Sequence, residues 1–143
     1  MRFELVTHGS AKYQATVALR RKVLRLPLGL DLTASDLQLE LDDIHLGAFD
    51  PQLVACLVLT PESRNKVKMR QVAVEPDRQR SGLGSALVRE SERVAVEYGF
   101  RELVLHARDT AVPFYLRLGY EAVGAPFEEV TIPHQAMRKD LLG

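Results

Sequence analysis

The stretch Arg78-Gln79-Arg80-Ser81-Gly82-Leu83-Gly84-Ser85-Ala86-Leu87-Val88 decides the fold. Its glycines and arginines make a tight basic turn that opens directly into an amphipathic helix. A strand-like stretch, Val67 to Val74, precedes it and closes on Glu75-Pro76-Asp77. Strand, basic glycine turn, helix is an order that predicts an anion site. The first N–H groups of a helix lack internal partners, and the helix dipole adds partial positive charge there. Glycine lets a phosphate come close to the backbone. Arg78 and Arg80 add full charges beside it. The expected ligand carries phosphates, a pyrophosphate above all.

Spacing separates the phosphate-binding motifs. A nucleotide-hydrolase loop needs Gly, four residues, then Gly-Lys-Ser/Thr, and the sequence has no such run. A dinucleotide fingerprint needs Gly-x-Gly-x-x-Gly, but the third glycine position holds Leu87. What remains is Gln-x-x-Gly-x-Gly, filled by Gln79, Gly82 and Gly84. Here the chain resembles the Gcn5-related N-acetyltransferase (GNAT) family. That family carries the motif between its fourth strand and the next helix, where it holds the pyrophosphate of acetyl-coenzyme A.

A second segment fits in the right order. Ala111-Val112-Pro113-Phe114-Tyr115-Leu116-Arg117-Leu118-Gly119-Tyr120 is similar to the family's Ala-x-x-Phe-Tyr-x-x-x-Gly-Phe/Tyr. In the family that helix carries a tyrosine toward the cofactor sulfur, here Tyr115. A helix, Gly99-Phe100 and the strand Glu102 to Ala107 lie between the two motifs. The run Phe127 to Leu142 resembles the family's final strands. The resemblance is strongest from Val67 to Tyr120 and weakest before Asp42.

Hydrophobic patterning fills in the remaining elements. Arg2 to Thr7 reads as a first strand. Ala11 to Leu24 reads as a helix with Arg20, Arg21 and Arg25 crowding its end, where cations suit the dipole. Pro27 and Gly29 stop it. Thr33 caps a short helix, Ala34 to Leu39. Asp43 to Phe49 and Leu53 to Thr60 form a hairpin around Asp50-Pro51. Gly84 to Tyr98 is the most regular helix, with Leu83, Leu87, Val94 and Tyr98 on one face and Gly99 at its end. Leu103-Val104-Leu105 reads as a buried strand. Thr110 is the expected cap of a last short helix, with Pro113 in its first turn. The expected class is α/β: one domain, 1–143, with a mixed, mostly antiparallel, splayed sheet and helices on both faces.

Direct acetyl transfer to an amine needs three things. The amine must lose a proton, the oxyanion wants N–H donors, and the departing thiolate wants stabilisation. The resemblance implies that the backbone of Val72, Ala73 and Val74 meets the oxyanion and pantetheine. It implies that Gln79, Arg80, Ser81, Gly82, Leu83, Gly84 and Ser85 hold the coenzyme, and that Tyr115 protonates or hydrogen-bonds the thiolate. A phenol near its ordinary pKa of ~10 is protonated at neutral pH and can donate. The plainer reading of Tyr115 is an aromatic plug with a bonded hydroxyl. Arg108 stands where the family often has Asn. It is left with two readings, contact to a phosphate or ribose, or a solvent-facing side chain. The proton acceptor is not legible: Asp42, Asp43, His45, Glu75 and His134 all qualify by chemistry, and relatives also use ordered water. His106 reads as a packed or edge histidine. The run Arg64, Lys66, Lys68 and Arg70 reads as a solvated strand face, with support of the coenzyme's outer phosphate as the lesser reading.

Composition agrees with an enzyme domain. Of 143 residues 46% are apolar and 27% charged, and the formal net charge is zero, which argues against a general polyanion binder. A lone Cys56 excludes an internal disulfide, and the four scattered histidines suggest no metal site. The N-terminus lacks a signal-peptide pattern, and no apolar run reaches membrane-spanning length, so a cytoplasmic location is expected. The expected cosubstrate is acetyl-coenzyme A without a metal. Expected partners are an amine acceptor, small molecule or peptide, with a homodimer left open and neither nucleic acid nor membrane. The rival readings are transfer of another acyl group, or a coenzyme A-binding module without turnover.

Overall fold

The computed structural model describes residues 1–141. One seven-stranded sheet runs β1 (Arg2–Val6), β2 (Ile44–Phe49), β3 (Leu53–Pro61), β4 (Lys66–Val74), β5 (Glu102–Arg108), then β7 (Ile132–Asp140) and β6 (Glu121–Glu129) at the far edge. The helices are α1 (Ala11–Arg20), α2 (Ala34–Gln38), α3 (Leu83–Glu97) and α4 (Val112–Arg117). Every neighbouring pair is antiparallel except β4 and β5. This is the expected mixed α/β sheet.

The parallel pair carries the function of the fold. β4 and β5 pair only from Lys66↔Glu102 to Met69↔Leu105. Beyond that point β4 stays with β3, and β5 stays with β7 as far as Arg108↔His134. The sheet therefore opens into two halves, leaving a cleft between them.

A bulge in β4 lies at the opening. Cys56 pairs with Ala73 and Val58 with Arg70, so Gln71 and Val72 both stand opposite Leu57. Gln71 takes φ 54, a left-handed conformation. The extra residue shifts the side-chain alternation. Val67 and Met69 face the main core before it, and Val72 and Val74 pack on that core after it, while Ala73 turns toward α1.

Helices cover both faces. The main core joins β3, β4 and β5 to α3 and α4, with Leu59, Val67, Leu87, Val88 and Leu103 fully buried. Burying one such side chain is worth ~1.5–3 kcal/mol. On the other face α1 sets Tyr13 and Val17 against Val6, Leu32 and Phe49.

Several local expectations are corrected. The buried face of α3 is Leu83, Leu87, Val88, Ser91, Val94 and Ala95. Tyr98 is its C-cap and is exposed; Gly99 at φ 93 reverses the chain, and Phe100 enters the core instead. Val104 is only half-buried, because α1 packs over β3 and β4 rather than β5. Thr110 does not cap α4: Ala111 stands at the N-cap without a side-chain hydrogen bond, and the Thr110 N–H donates to Asp109. Arg20 is not a dipole cation at the surface but a fully buried ion-pair partner of Glu40. The penultimate strand starts at Glu121, since Gly124 and Pro126 sit at a bulge that interrupts its alternation. Leu142 lies outside the described residues.

Candidate active site

The glycine turn leaves the start of a helix open. Pro76–Arg78 forms one 3₁₀ turn after β4. Gln79 Nε2 donates to the Val74 carbonyl at 3.1 Å, tying the turn to the strand end. Arg78 is spent on Asp50, at 2.9 Å. Arg80 and Gly82 both take left-handed φ, 63 and 86. Gly82 is the N-cap of α3 and offers no side-chain cap, so the first N–H groups, on Leu83, Gly84 and Ser85, have no capping partner. A Cβ built on Gly82 would meet no atom within 4 Å, so the space over the turn is open. A Cβ on Gly84 would lie 3.6 Å from the Phe114 ring. The start of α3 thus touches α4, the helix that carries Tyr115. These groups fit a pyrophosphate.

The opening between β4 and β5 is a cleft of about 650 Å³. Its walls include Met69, Gln71 and Val72 from β4, and Leu105, Ala107 and Arg108 from β5, with Ala111 and Tyr115 beyond. Tyr115 is 8% exposed, and its ring meets Phe114 and Tyr120 edge-on at 4.9 and 5.6 Å. Its hydroxyl makes no hydrogen bond to any described residue. Burial pushes the phenol up to about 12, so it is protonated at neutral pH. Pro113 lies in the first turn of α4, where its missing N–H costs nothing. Gly119 at φ 95 returns the chain to β6.

A histidine–carboxylate group lies on the same cleft. His134 opens β7 opposite Arg108 and is 7% exposed. Its Nδ1 is 2.7 Å from the Ile132 carbonyl. A carbonyl only accepts, so Nδ1 carries the hydrogen and Nε2 holds the lone pair of the neutral ring. That Nε2 lies 3.7 Å from Glu129 Oε2. Glu129 Oε1 accepts from His106 Nδ1 at 2.9 Å. Burial pulls the Glu129 carboxyl upward. The His106 hydrogen bond and the charges of His106, His134 and Lys68 outweigh it and hold the group below its ordinary value. His106 is therefore an exposed cleft residue rather than a buried one.

The other candidates scatter. His45 is buried away from the cleft, with Nε2 donating to the Glu40 carbonyl. Asp43 accepts from Thr60, Glu75 pairs with Lys22, and Asp42 is exposed. Ala73 buries its side chain toward α1, leaving only its backbone for a ligand. Arg108, half-buried, lines the cleft, and so do Lys68 and Arg70. Cys56 is buried beside α1, and burial pushes its thiol up to about 12, which makes it a core residue. Among the described residues no three His, Cys, Asp or Glu side chains gather as a metal site. Glu129 and Gln71 are cleft residues that sequence reasoning missed, whereas Arg25, which the sequence offers with Arg21, Asp42 and Asp43 as a selector of a charged acceptor, does line the cleft. Glu129 has no motif around it, and the Gln71 bulge is a property of pairing with β3.

Comparison with known proteins agrees with this geometry. Residues 44–141 match the family described as Acetyltransferase (GNAT) domain. A Schizosaccharomyces pombe protein of the UPF0039 group is 29% identical over 108 residues, which cover 74% of this chain and 72% of that protein. The fold matches an aminoglycoside 6'-N-acetyltransferase complexed with coenzyme A, with TM-score 0.84 and 17% identity over 100% of this chain and 98% of that one. An acyl-CoA N-acyltransferase from Pseudomonas aeruginosa matches with TM-score 0.81 and 26% identity over 96% and 98%. The chain belongs to the GNAT acetyltransferase family.

Proposed function

We propose that the protein transfers an acetyl group from acetyl-coenzyme A to a primary amine, directly and without an acyl-enzyme intermediate. The observation that carries this reading is the cleft opened by the divergence of β4 and β5. It has Tyr115 on one wall and the uncapped start of α3 packed against the helix that bears Tyr115. The backbone of Gln79 to Ser85 holds the pyrophosphate, with Arg80 as its added charge. The strand end from Val72 through Ala73 to Val74 presents main-chain groups to the pantetheine and to the oxyanion. Arg108, at the end of β5, reaches the coenzyme from the opposite wall.

Proton traffic is assigned to His134, with Glu129 beside it, and to Tyr115, all on the cleft. The acceptor ammonium gives a proton to His134 Nε2, which Glu129 stabilises as imidazolium and which then releases the proton to solvent. The freed lone pair attacks the thioester carbon; a C–N bond forms and the C–S bond breaks. Tyr115 gives its proton to the leaving sulfur, and the second proton on nitrogen restores the phenol.

The test couples binding to turnover. Acetyl-coenzyme A raises the melting temperature by mass action. Thiol release then depends on added amine across a panel that includes an aminoglycoside. Absence of any thermal shift at saturating acetyl-coenzyme A overturns the reading. A shift without thiol release from any amine favours a binding module, and faster release from a longer acyl-coenzyme A assigns a different donor.

A further inference from the structure

Resting on that transferase reading, we infer that the acceptor is a small amine that also carries an anionic group, and that Arg25 and Arg70 bind the anion. The cleft meets a second cavity of about 350 Å³. Four residues line both: Arg25, Arg70, Gln71 and Val130. The two arginines therefore stand at the junction. Neither guanidinium makes a hydrogen bond or ion pair with any described residue.

The acids around the junction are already committed. Glu40 is bound to Arg20 at 2.6 Å, and Asp31 to Arg21 at 2.8 Å. Asp36 is the exception: it accepts from the Thr33 N–H in a capping box, but its carboxylate keeps its charge and also feels Arg25. Glu129 is held between His106 and His134. In the first cleft four cations, Arg25, Lys68, Arg70 and Arg108, face two carboxylates, Glu62 and Glu129. Fixed cations in a concave, partly desolvated site attract anions and repel polycations. A guanidinium fork matches a carboxylate or phosphate with two parallel hydrogen bonds.

The two ends of the acceptor follow. Its ammonium goes to Glu129 and His134, a carboxylate and the assigned proton acceptor on the same cleft. Its anion goes to Arg25 and Arg70. Leu24 and Val130 give the first cleft an apolar wall for the carbon stem between the two ends. A diamine or polyamine meets the arginines as a like charge.

The experiment uses full-length protein, acetyl-coenzyme A and matched ω-amino acids, their amides, the corresponding diamines and ω-aminoalkyl phosphates of graded chain length. Thiol release gives kcat/KM, and melting temperature with and without coenzyme A gives binding. The expected result is a preference of about tenfold or more for an anionic amine over its amide and diamine. Comparison of the carboxylate and phosphate series identifies the anion. Arg25→Gln and Arg70→Gln should drive that preference ratio toward one while the coenzyme A thermal shift persists. Equal or faster acetylation of the amides or diamines overturns the acceptor assignment and leaves the transferase standing. Loss of the coenzyme A shift in both variants also overturns it, by assigning the arginines to the coenzyme. Neither turnover nor an added shift with any anionic amine overturns it too. Failure of the transferase reading is separate, since wild-type protein would then show no coenzyme A shift, or a shift without thiol release from any amine, the amides and diamines included.

Discussion

Arg20, fully buried on α1, donates through Nη1 to Oε1 of Gln71, the bulged residue of β4, at 3.0 Å. The same guanidinium holds Glu40 with Nη1 at 3.0 Å and Nη2 at 2.6 Å. Tyr13 donates to the same carboxylate at 2.5 Å. Burial would raise the Glu40 pKa, but the Arg20 and Tyr13 hydrogen bonds hold it below its ordinary value. A buried ion pair thus braces the bulge that sets the backbone of the cleft wall.

That bracing has a stability signature. Arg20→Met leaves the Glu40 carboxylate buried without its partner and should cost ~3–5 kcal/mol. Arg20→Met combined with Glu40→Met should cost less than the single change, because no charge is stranded. Urea unfolding of the variants measures both. A double variant no more stable than Arg20→Met would show that the charges are not the coupled element.

Tyr115→Phe removes only a hydroxyl that has no hydrogen-bond partner among the described residues. Folding stability should stay within about 0.5 kcal/mol of wild type. If that hydroxyl protonates the leaving sulfur, kcat should fall ~10²–10⁴-fold, toward the low end because thiolate leaves well. Rate and urea midpoint are read on one preparation. Unchanged kcat would leave a bound water as the proton donor.

The two glycines of the turn should behave differently. Gly82 is left-handed with open space above it, so Gly82→Val should lose coenzyme binding and cost ~1–2 kcal/mol of stability from backbone strain alone. Gly84 lies inside the helix, and its Cβ would touch Phe114 at ordinary contact distance. Gly84→Ala should keep the fold or stabilise it by ~0.5–1 kcal/mol. Isothermal titration with coenzyme A and thermal melts separate ligand loss from strain.

Acid should destabilise the fold in two stages. His45 is buried and its pKa is lowered, chiefly by that burial. A depressed histidine stabilises above the unfolded value, ~6.5, and its contribution drains as pH falls from there toward the folded value. Glu40, also depressed, loses its contribution lower, as pH falls below the ordinary carboxylate range. Urea midpoints should be flat above about pH 7 and decline below it. His45→Phe should abolish the upper stage; an unchanged profile would assign that stage to another group.

Val130 and Thr131, at the tip between β6 and β7, take φ 54 and 60. β-branched residues are poorly suited to this region, which Asn-Gly occupies readily in two-residue hairpins. Val130→Asn with Thr131→Gly should raise stability by ~1–3 kcal/mol. Thermal melts check this. Because Val130 lines both cavities, KM for the acceptor should change as well.

The sequence alone determined what depends on neighbours along the chain. The Gln79-x-x-Gly82-x-Gly84 turn was legible because left-handed φ and an uncapped helix start need glycine at fixed spacing. The α3 start and the Thr33 cap were legible for similarly local reasons. Where a side chain ends up depends on which strands meet, and that only the tertiary structure decided. Glu129 faces His134 because β6 and β7 form a hairpin beside the opened β5. Gln71 bulges because β3 pairs out of step with β4. Arg20 reads as a helix-end cation, yet Glu40, twenty residues on, draws it into the interior at 2.6 Å. No periodicity encodes that contact, since a buried charge is tolerated only once its distant partner has been folded against it.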